Sequence, residues 1–337
     1  MAVTVGTLAS TEIAAMNAGK VFFVGSNALR DRNAAAVWSL SGDWADSAPL
    51  GVSNIDDAAY PTRYLYDDIL YNVTRPSSGA VGESAIYLLL DLSDTAGHVI
   101  DTAWMYFNNG TSLGGDVTAS LEVADNAAFT TNLRVLTIWG CNGVGKLIDV
   151  RLGGTYVSPA SYTTVRYARI SFETARVGGF ESGNLPEIGE LVLGRRRQMA
   201  RNPRLPWDPE ALESAVDWFE ADTVGIVGGD VRWQQRGRWP LRFRPNSTTG
   251  AGIDETASLR SLHDDTDGFT RPFLYVDEPT ITGEATGATF AAHGNGHFVF
   301  TPNPSSIMPY MEAYQSTREV EIELVELPPY QSSEVVA

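Results

Sequence analysis

Cysteine occurs once in 337 residues, as Cys141. That excludes an internal disulfide framework and a thiolate cluster for zinc, so stability must come from packing. Lysine is nearly as scarce: Lys20 and Lys146 stand beside 22 arginines, and 24 basic side chains against 41 acidic ones leave a net charge of -17. Nucleic-acid binding by the chain as a whole is excluded on that balance, because phosphate affinity comes from neutralising lysines and arginines. No uncharged apolar run reaches the length a membrane helix needs. The opening MAVTVGTLASTEIAAMNAGK has neither a basic leader nor a compact apolar stretch before a cleavage site, so synthesis in the cytosol is the expectation. Hydrophobic residues still make up 43% and charged ones only 19%, the composition of a folded chain, and this length has room for two cores and hence two domains.

What is present is unevenly spread. Ten of the arginines fall between Gly194 and Pro245, beginning with GRRRQMARNPRLPW. Arginine offers a planar fork that pairs with carboxylates, which suits contacts between subunits of an acidic protein; a solvated linker is the other reading. Asn202 before Pro203 and Leu205 before Pro206 are both pushed toward extended backbone, which stiffens the stretch.

Short apolar alternations bounded by Gly, Pro, Asn and Asp recur along the chain: SAIYLLLDLS, TAWMYFN, VTASLEVA, LRVLTIWG, TVRYARISFE, EIGELVLG, WPLRFRP, RPFLYVDEP, GHFVFTP and REVEIELVEL. They predict an all-β protein. Helices are expected over Thr11 to Ala18, after Asp208 with Pro209 at the first helical position, and from Asp254 through Leu262. No βαβ alternation appears, which argues against a doubly wound parallel sheet. The expected division is an N-terminal segment with a short helix (1–36), a jelly-roll β-sandwich (37–194), a basic proline-containing junction (195–206) and a second β-sandwich or barrel (207–337). In RWPLRFR, strand alternation puts Trp239, Leu241 and Phe243 on one face and Arg238, Arg242 and Arg244 on the other.

Several motifs imitate chemical sites and lack a part. GCNGVGK (140–146) has phosphate-loop spacing as far as its lysine, but Leu147 replaces the magnesium-holding hydroxyl, and a glycine-rich hairpin turn is the better reading. HGNGH (293–297) spaces two histidines as zinc helices do, yet its glycines oppose a helix and no third ligand is near. HDDTDG (263–268) begins like a calcium loop without the distal glutamate and reads instead as a helix-to-strand turn. Acidic pairs at Asp56 and Asp57 and at Asp67 and Asp68 suit calcium or sugar hydroxyls in sandwich loops, or simple solvation. There is no GxSxG elbow and no base partner for Cys141, so neither an enzyme, a metal site nor a cofactor is expected.

Two resemblances add to this reading. The run Asn54, Ile55, Asp56, Asp57 with Tyr60, Pro61 and Thr62, then ASLEVADNAAFTTNLRVL and TVRYARISFE, resembles the galactose-binding-like (discoidin-type) β-sandwich, and implies an eight-stranded jelly roll with ligand loops at one end. WQQRGRWPLRFRP, a helix ending in LRSLHDD, Gly268 and RPFLYVDEP together are similar to the ring-forming β-domain of bacteriophage distal-tail and tail-tip adaptor proteins. EIGELVLGRRRQMARNPRLPW looks like the phrase with which such proteins return from an inserted module to the ring domain. From residue 310 onward the chain departs from that pattern.

The expectation is therefore a structural virion protein at a phage tail tip. It would form a homo-oligomer, most readily a hexameric ring, contacting other tail proteins, with Arg195, Arg196, Arg197, Arg238, Arg242 and Arg244 as interface residues. The alternative is a carbohydrate-binding module for host surface glycans, in which Trp44, Tyr60, Tyr64 and Tyr66 stack on sugar rings while Asp56 and Asp57 hold hydroxyls. A polysaccharide hydrolase ranks third.

Overall fold

The computed structural model describes residues 3–5, 10–30, 43–45, 58–70, 72–92, 99–107, 116–126, 128–131, 133–140, 146–149, 163–203, 210–212, 216–220, 227–231, 236–243, 252–282, 291–302 and 320–327. In chain order the strands are β1 (Val3–Val5), β2 (Phe22–Val24), β3 (Asp43–Ala45), β4 (Ala85–Asp91), β5 (Val99–Ile100), β6 (Thr102–Phe107), β7 (Val117–Ala124), β8 (Arg134–Gly140), β9 (Lys146–Asp149), β10 (Thr163–Val165), β11 (Tyr167–Thr174), β12 (Ile188–Gly194), β13 (Arg196–Gln198), β14 (Glu210–Leu212), β15 (Val216–Glu220), β16 (Val227–Val231), β17 (Arg236–Phe243), β18 (Phe273–Thr282), β19 (Ala291–Phe300) and β20 (Val320–Glu326). Helices α1 (Ser10–Asn17) and α2 (Glu255–Asp265) decorate them. The protein is all-β.

A sandwich forms from a five-stranded sheet, β3-β4-β11-β7-β8, and a three-stranded sheet, β12-β6-β9. Alternation sends Ile86, Leu88, Leu90, Leu121, Val123, Ile170 and Phe172 from the first to meet Ala103, Met105, Ile188, Leu191 and Leu193 from the second in one core. The other face of the three-stranded sheet is also covered. Trp104, Tyr106 and Val192 pack there against Phe22, Val24, Leu274, Val276 and Phe298 of a seven-stranded sheet, β13-β2-β18-β19-β20-β17-β14. Trp104 stacks on Phe298 with ring centroids 5.7 Å apart.

The seven-stranded sheet curls. Phe23 on its second strand and Phe243 on its sixth meet edge to face at 6.0 Å, which a flat sheet forbids because strands lie about 4.8 Å apart. Leu259 and Leu262 of α2 fill the concave side together with Trp239, Leu241, Ile322 and Leu324. Asp254 caps that helix, its carboxylate accepting from the Ala257 N–H at 2.9 Å, and Asp267 and Gly268 turn out of it at positive φ into β18. The turn expected at HDDTDG is therefore present.

Four sequence expectations need correction. The junction at 195–206 includes β13, which pairs antiparallel with β2 at the edge of the seven-stranded sheet. Residues 1–36 are no separate segment either, since β1 pairs with β10 and β5, and β2 lies between β13 and β18. The chain thus leaves the seven-stranded sheet after β2, builds the sandwich, and returns in the adjacent strand. The helix expected after Asp208 is absent: residues 210–212 pair with β17 and 216–220 with β16, so the Asp-Pro signal was overridden by sheet pairing. Finally, the strands flanking GCNGVGK do not pair with each other as a hairpin requires, since β8 pairs with β7 and β9 with β6; residues 141–145 themselves lie outside the described residues.

Candidate functional site

At one edge of the sandwich the chain runs from Tyr60 through Pro61 into a 3-10 turn over Thr62–Tyr66. Thr74 fixes this segment: its hydroxyl donates to the Tyr60 carbonyl at 3.0 Å, while its backbone exchanges hydrogen bonds with Ile188 of β12 at 2.8 and 3.0 Å. Arg75 then lies over the half-buried Tyr60 ring, its guanidinium 3.8 Å from the centroid, and reaches Glu187 at 3.5 Å. Arg63 lies over the half-buried Tyr64 ring at 5.5 Å. Each of the two tyrosine rings is thus faced by an arginine, and the one over Tyr60 also meets a carboxylate.

Tyr66 belongs elsewhere. It is 7% exposed and packs with Leu65 in the sandwich core, so it is not a ligand contact. Trp44 is placed only by its backbone in β3. Asp56, Asp57 and Arg244 lie outside the described residues. Arg63, Arg75 and Glu187 were missed from the sequence, and no local signal marks them, since Arg75 and Glu187 are 112 residues apart.

The pair Asp67 and Asp68 has its own work within the fold. Asp67 accepts from the Ile69 N–H at 3.0 Å and the Asn72 amide at 2.6 Å, and burial raises its pKa. Asp68, at positive φ, pairs with Arg30 at 3.0 Å, and Arg30 also donates to the Gly25 carbonyl at 2.7 Å. Beside them Glu190 of β12 is fully buried. Desolvation, with the charges of Asp68 and Asp67, holds its carboxyl well above the usual range, opposed by Arg30 and the Asp68 N–H. Among the described residues no group of three or more His, Cys, Asp or Glu side chains is arranged to hold a metal ion.

The arginines divide. Arg196, expected at an interface, is 2% exposed inside the protein: its guanidinium lies 3.9 Å over Phe22, its Nε donates to Thr102 Oγ1, and its N–H donates to Asp101 at 2.7 Å. Burial pushes Asp101 up to about 6 and Arg196 down to about 10. Arg197 pairs with Asp265 at 2.7 Å. Arg195 is exposed. On β17 the alternation is as expected: Trp239, Leu241 and Phe243 are buried and Arg238 and Arg242 face outward. Both are matched within the chain, Arg238 by Glu323 and Arg242 by Glu321, its cross-strand neighbour, at 3.3 Å. The histidines of HGNGH lie on the one strand β19, not on a helix, and His297 pairs with Glu326 at 3.0 Å.

No family model matches the chain, and no curated protein does either. Among solved structures it is similar to a Ruminococcus gnavus GH29 fucosidase in complex with fucose, at 17% identity and a TM-score of 0.25, the match covering 41% of this chain and 22% of the fucosidase. It is similar also to the Clostridium perfringens module CpGH89CBM32-4 in complex with GlcNAc-α-1,4-galactose, at 13% identity and a TM-score of 0.30 over 51% of this chain and 93% of that one. A Streptococcus pneumoniae fucose-binding module matches at 11% identity and a TM-score of 0.30, over 50% of this chain and 98% of that one.

Proposed function

We propose that the protein binds saccharide without turning it over, and that the sandwich carries the site. The observation behind this reading is the Tyr60, Tyr64, Arg75 and Glu187 patch: sugar recognition combines an apolar ring face with forked donors and a carboxylate acceptor for hydroxyls, and these four side chains supply that set. The test is a glycan array probed with the full chain, followed by Tyr60→Ala and Arg75→Ala. Saturable binding that either substitution weakens supports the reading. Absence of binding to every glycan, or binding indifferent to both, overturns it.

A second reading, a tail-tip adaptor of a tailed bacteriophage synthesised in the host cytoplasm, is favoured by the path of the chain. The sandwich is inserted between the neighbouring strands β2 and β13, as a displayed module would be on a ring-building scaffold. Saccharide binding and this role are compatible. Native mass of the pure protein, expected at six times the chain mass, and recovery from purified virions test it; a monomer absent from particles ends it.

A further inference from the structure

A cleft of about 430 Å³ opens where β13, the first turns of α1 and α2, and the segment between Val99 and Asp101 meet. It lies on the arginine block, apart from the Tyr60 patch, and its volume falls in the range of small-molecule sites. Most of its charges are already matched. Arg196 is held between Asp101 and Glu12, Arg197 is bound to Asp265, and Asp254 is engaged at the α2 N-terminus. Arg195 differs: its backbone N–H donates to Ser26 Oγ, but its exposed guanidinium has no partner among the described residues. Gln198, 1% exposed and also lining the cleft, keeps its Oε1 without a hydrogen-bond partner. The unspent capacity is thus one cation and one amide oxygen, beside hydroxyls of Thr11 and Ser261.

We propose that this cleft binds a sugar acid, its carboxylate on Arg195 and its hydroxyls on the side chains of Thr11, Ser261 and Gln198. A free cation lining a cleft selects an anionic group, and guanidinium and carboxylate pair through two parallel hydrogen bonds. A simple inorganic anion leaves most of the volume unfilled, and the N-terminus of α2 is already committed to Asp254. A neutral sugar leaves Arg195 unmatched. The hydroxyls of Thr11 and Ser261 and the unpartnered Oε1 of Gln198 then answer the hydroxyls that a polyhydroxylated acid brings.

The experiment is calorimetric titration of the full chain with D-glucuronate and D-galacturonate, with D-glucose and acetate as comparators. At least one uronate is expected to bind saturably, with glucose and acetate weaker. Arg195→Ala should reduce uronate affinity by roughly tenfold or more, as loss of a charge-assisted contact does, with an unchanged melting temperature. Loss of uronate affinity in Arg195→Ala, with glycan-array binding unchanged in that variant, separates this site from the sandwich patch. Failure of both uronates to bind, equal binding of acetate or glucose, or full affinity in Arg195→Ala overturns the proposal.

Discussion

The backbone of Gly194 runs so close to Ser26 that a Cβ on Gly194 would lie 2.0 Å from the Ser26 carbonyl oxygen. Here the chain leaving the seven-stranded sheet crosses the chain returning to it, and Asn27 bonds the crossing, donating to the Leu191 carbonyl at 2.9 Å and accepting from the Leu193 N–H at 3.3 Å. Gly194→Ala therefore forces two backbones apart. A loss of about 3 kcal/mol is expected, at the upper end of overpacking costs, and is read from the unfolding midpoint in urea. Gly183→Ala, where a Cβ meets nothing within 4 Å, should leave the midpoint in place.

Asp101 and Arg196 sit beside that crossing as a buried pair, and removing one member leaves the other charge uncompensated. Arg196→Met should cost ~3–5 kcal/mol. Adding Asp101→Asn should return much of it, since Asn keeps an oxygen for the Arg196 main-chain N–H while the charge is gone. A thermal-melt double-mutant cycle with no coupling between the two positions would falsify the pairing as an energetic unit.

Strand existence was legible because strands announce themselves locally: WPLRFR shows its two faces in its spelling, and the buried Trp239, Leu241 and Phe243 obey it. Partnership was not. Nothing in VFFV says that Phe22 faces the sandwich while Phe23 faces the α2 side, or that RRQ at 196–198 pairs with it across more than 170 residues. The same limit governed the site. Tyr60 stood out as an aromatic near acidic residues, whereas Arg75 and Glu187 acquire their meaning only from the Thr74 and Ile188 bridge. Arg196 was misread because a buried arginine and an interface arginine are spelled alike; the carboxylate that decides between them lies 95 positions away.

The buried carboxylates set a pH dependence of definite sign. Asp101 titrates near its ordinary 3.8 when unfolded and at about 6 when folded, and Glu190 shifts in the same direction. The folded state therefore binds protons more tightly, so their contribution to stability is fully present below the unfolded values and is lost as pH rises through the folded ones. Glu190→Gln, which removes the cost of ionising that group, should raise the melting temperature at pH 7.5 more than at pH 5. An equal shift at both values would show that Glu190 does not titrate in this window.

Arg238 and Arg242 give the last test, of whether the outward face of β17 meets another subunit. Each already has a carboxylate in its own chain, and their side chains are 39% and 54% exposed, so solvent screens both pairs and each is worth at most ~1 kcal/mol to the fold. Reversing both to Glu places like charges beside Glu323 and Glu321 and should lower the melting temperature only slightly. An interface responds differently, because truncation of an interfacial charge costs ~2–5 kcal/mol and a closed ring repeats that loss at every contact. If the wild-type protein is a ring in native mass measurement, a double variant that melts near the wild-type temperature but runs as a monomer puts these arginines between subunits. A ring that survives the reversal at ordinary salt assigns them to the β17–β20 ladder of their own chain, and moves the search for the contact to another face.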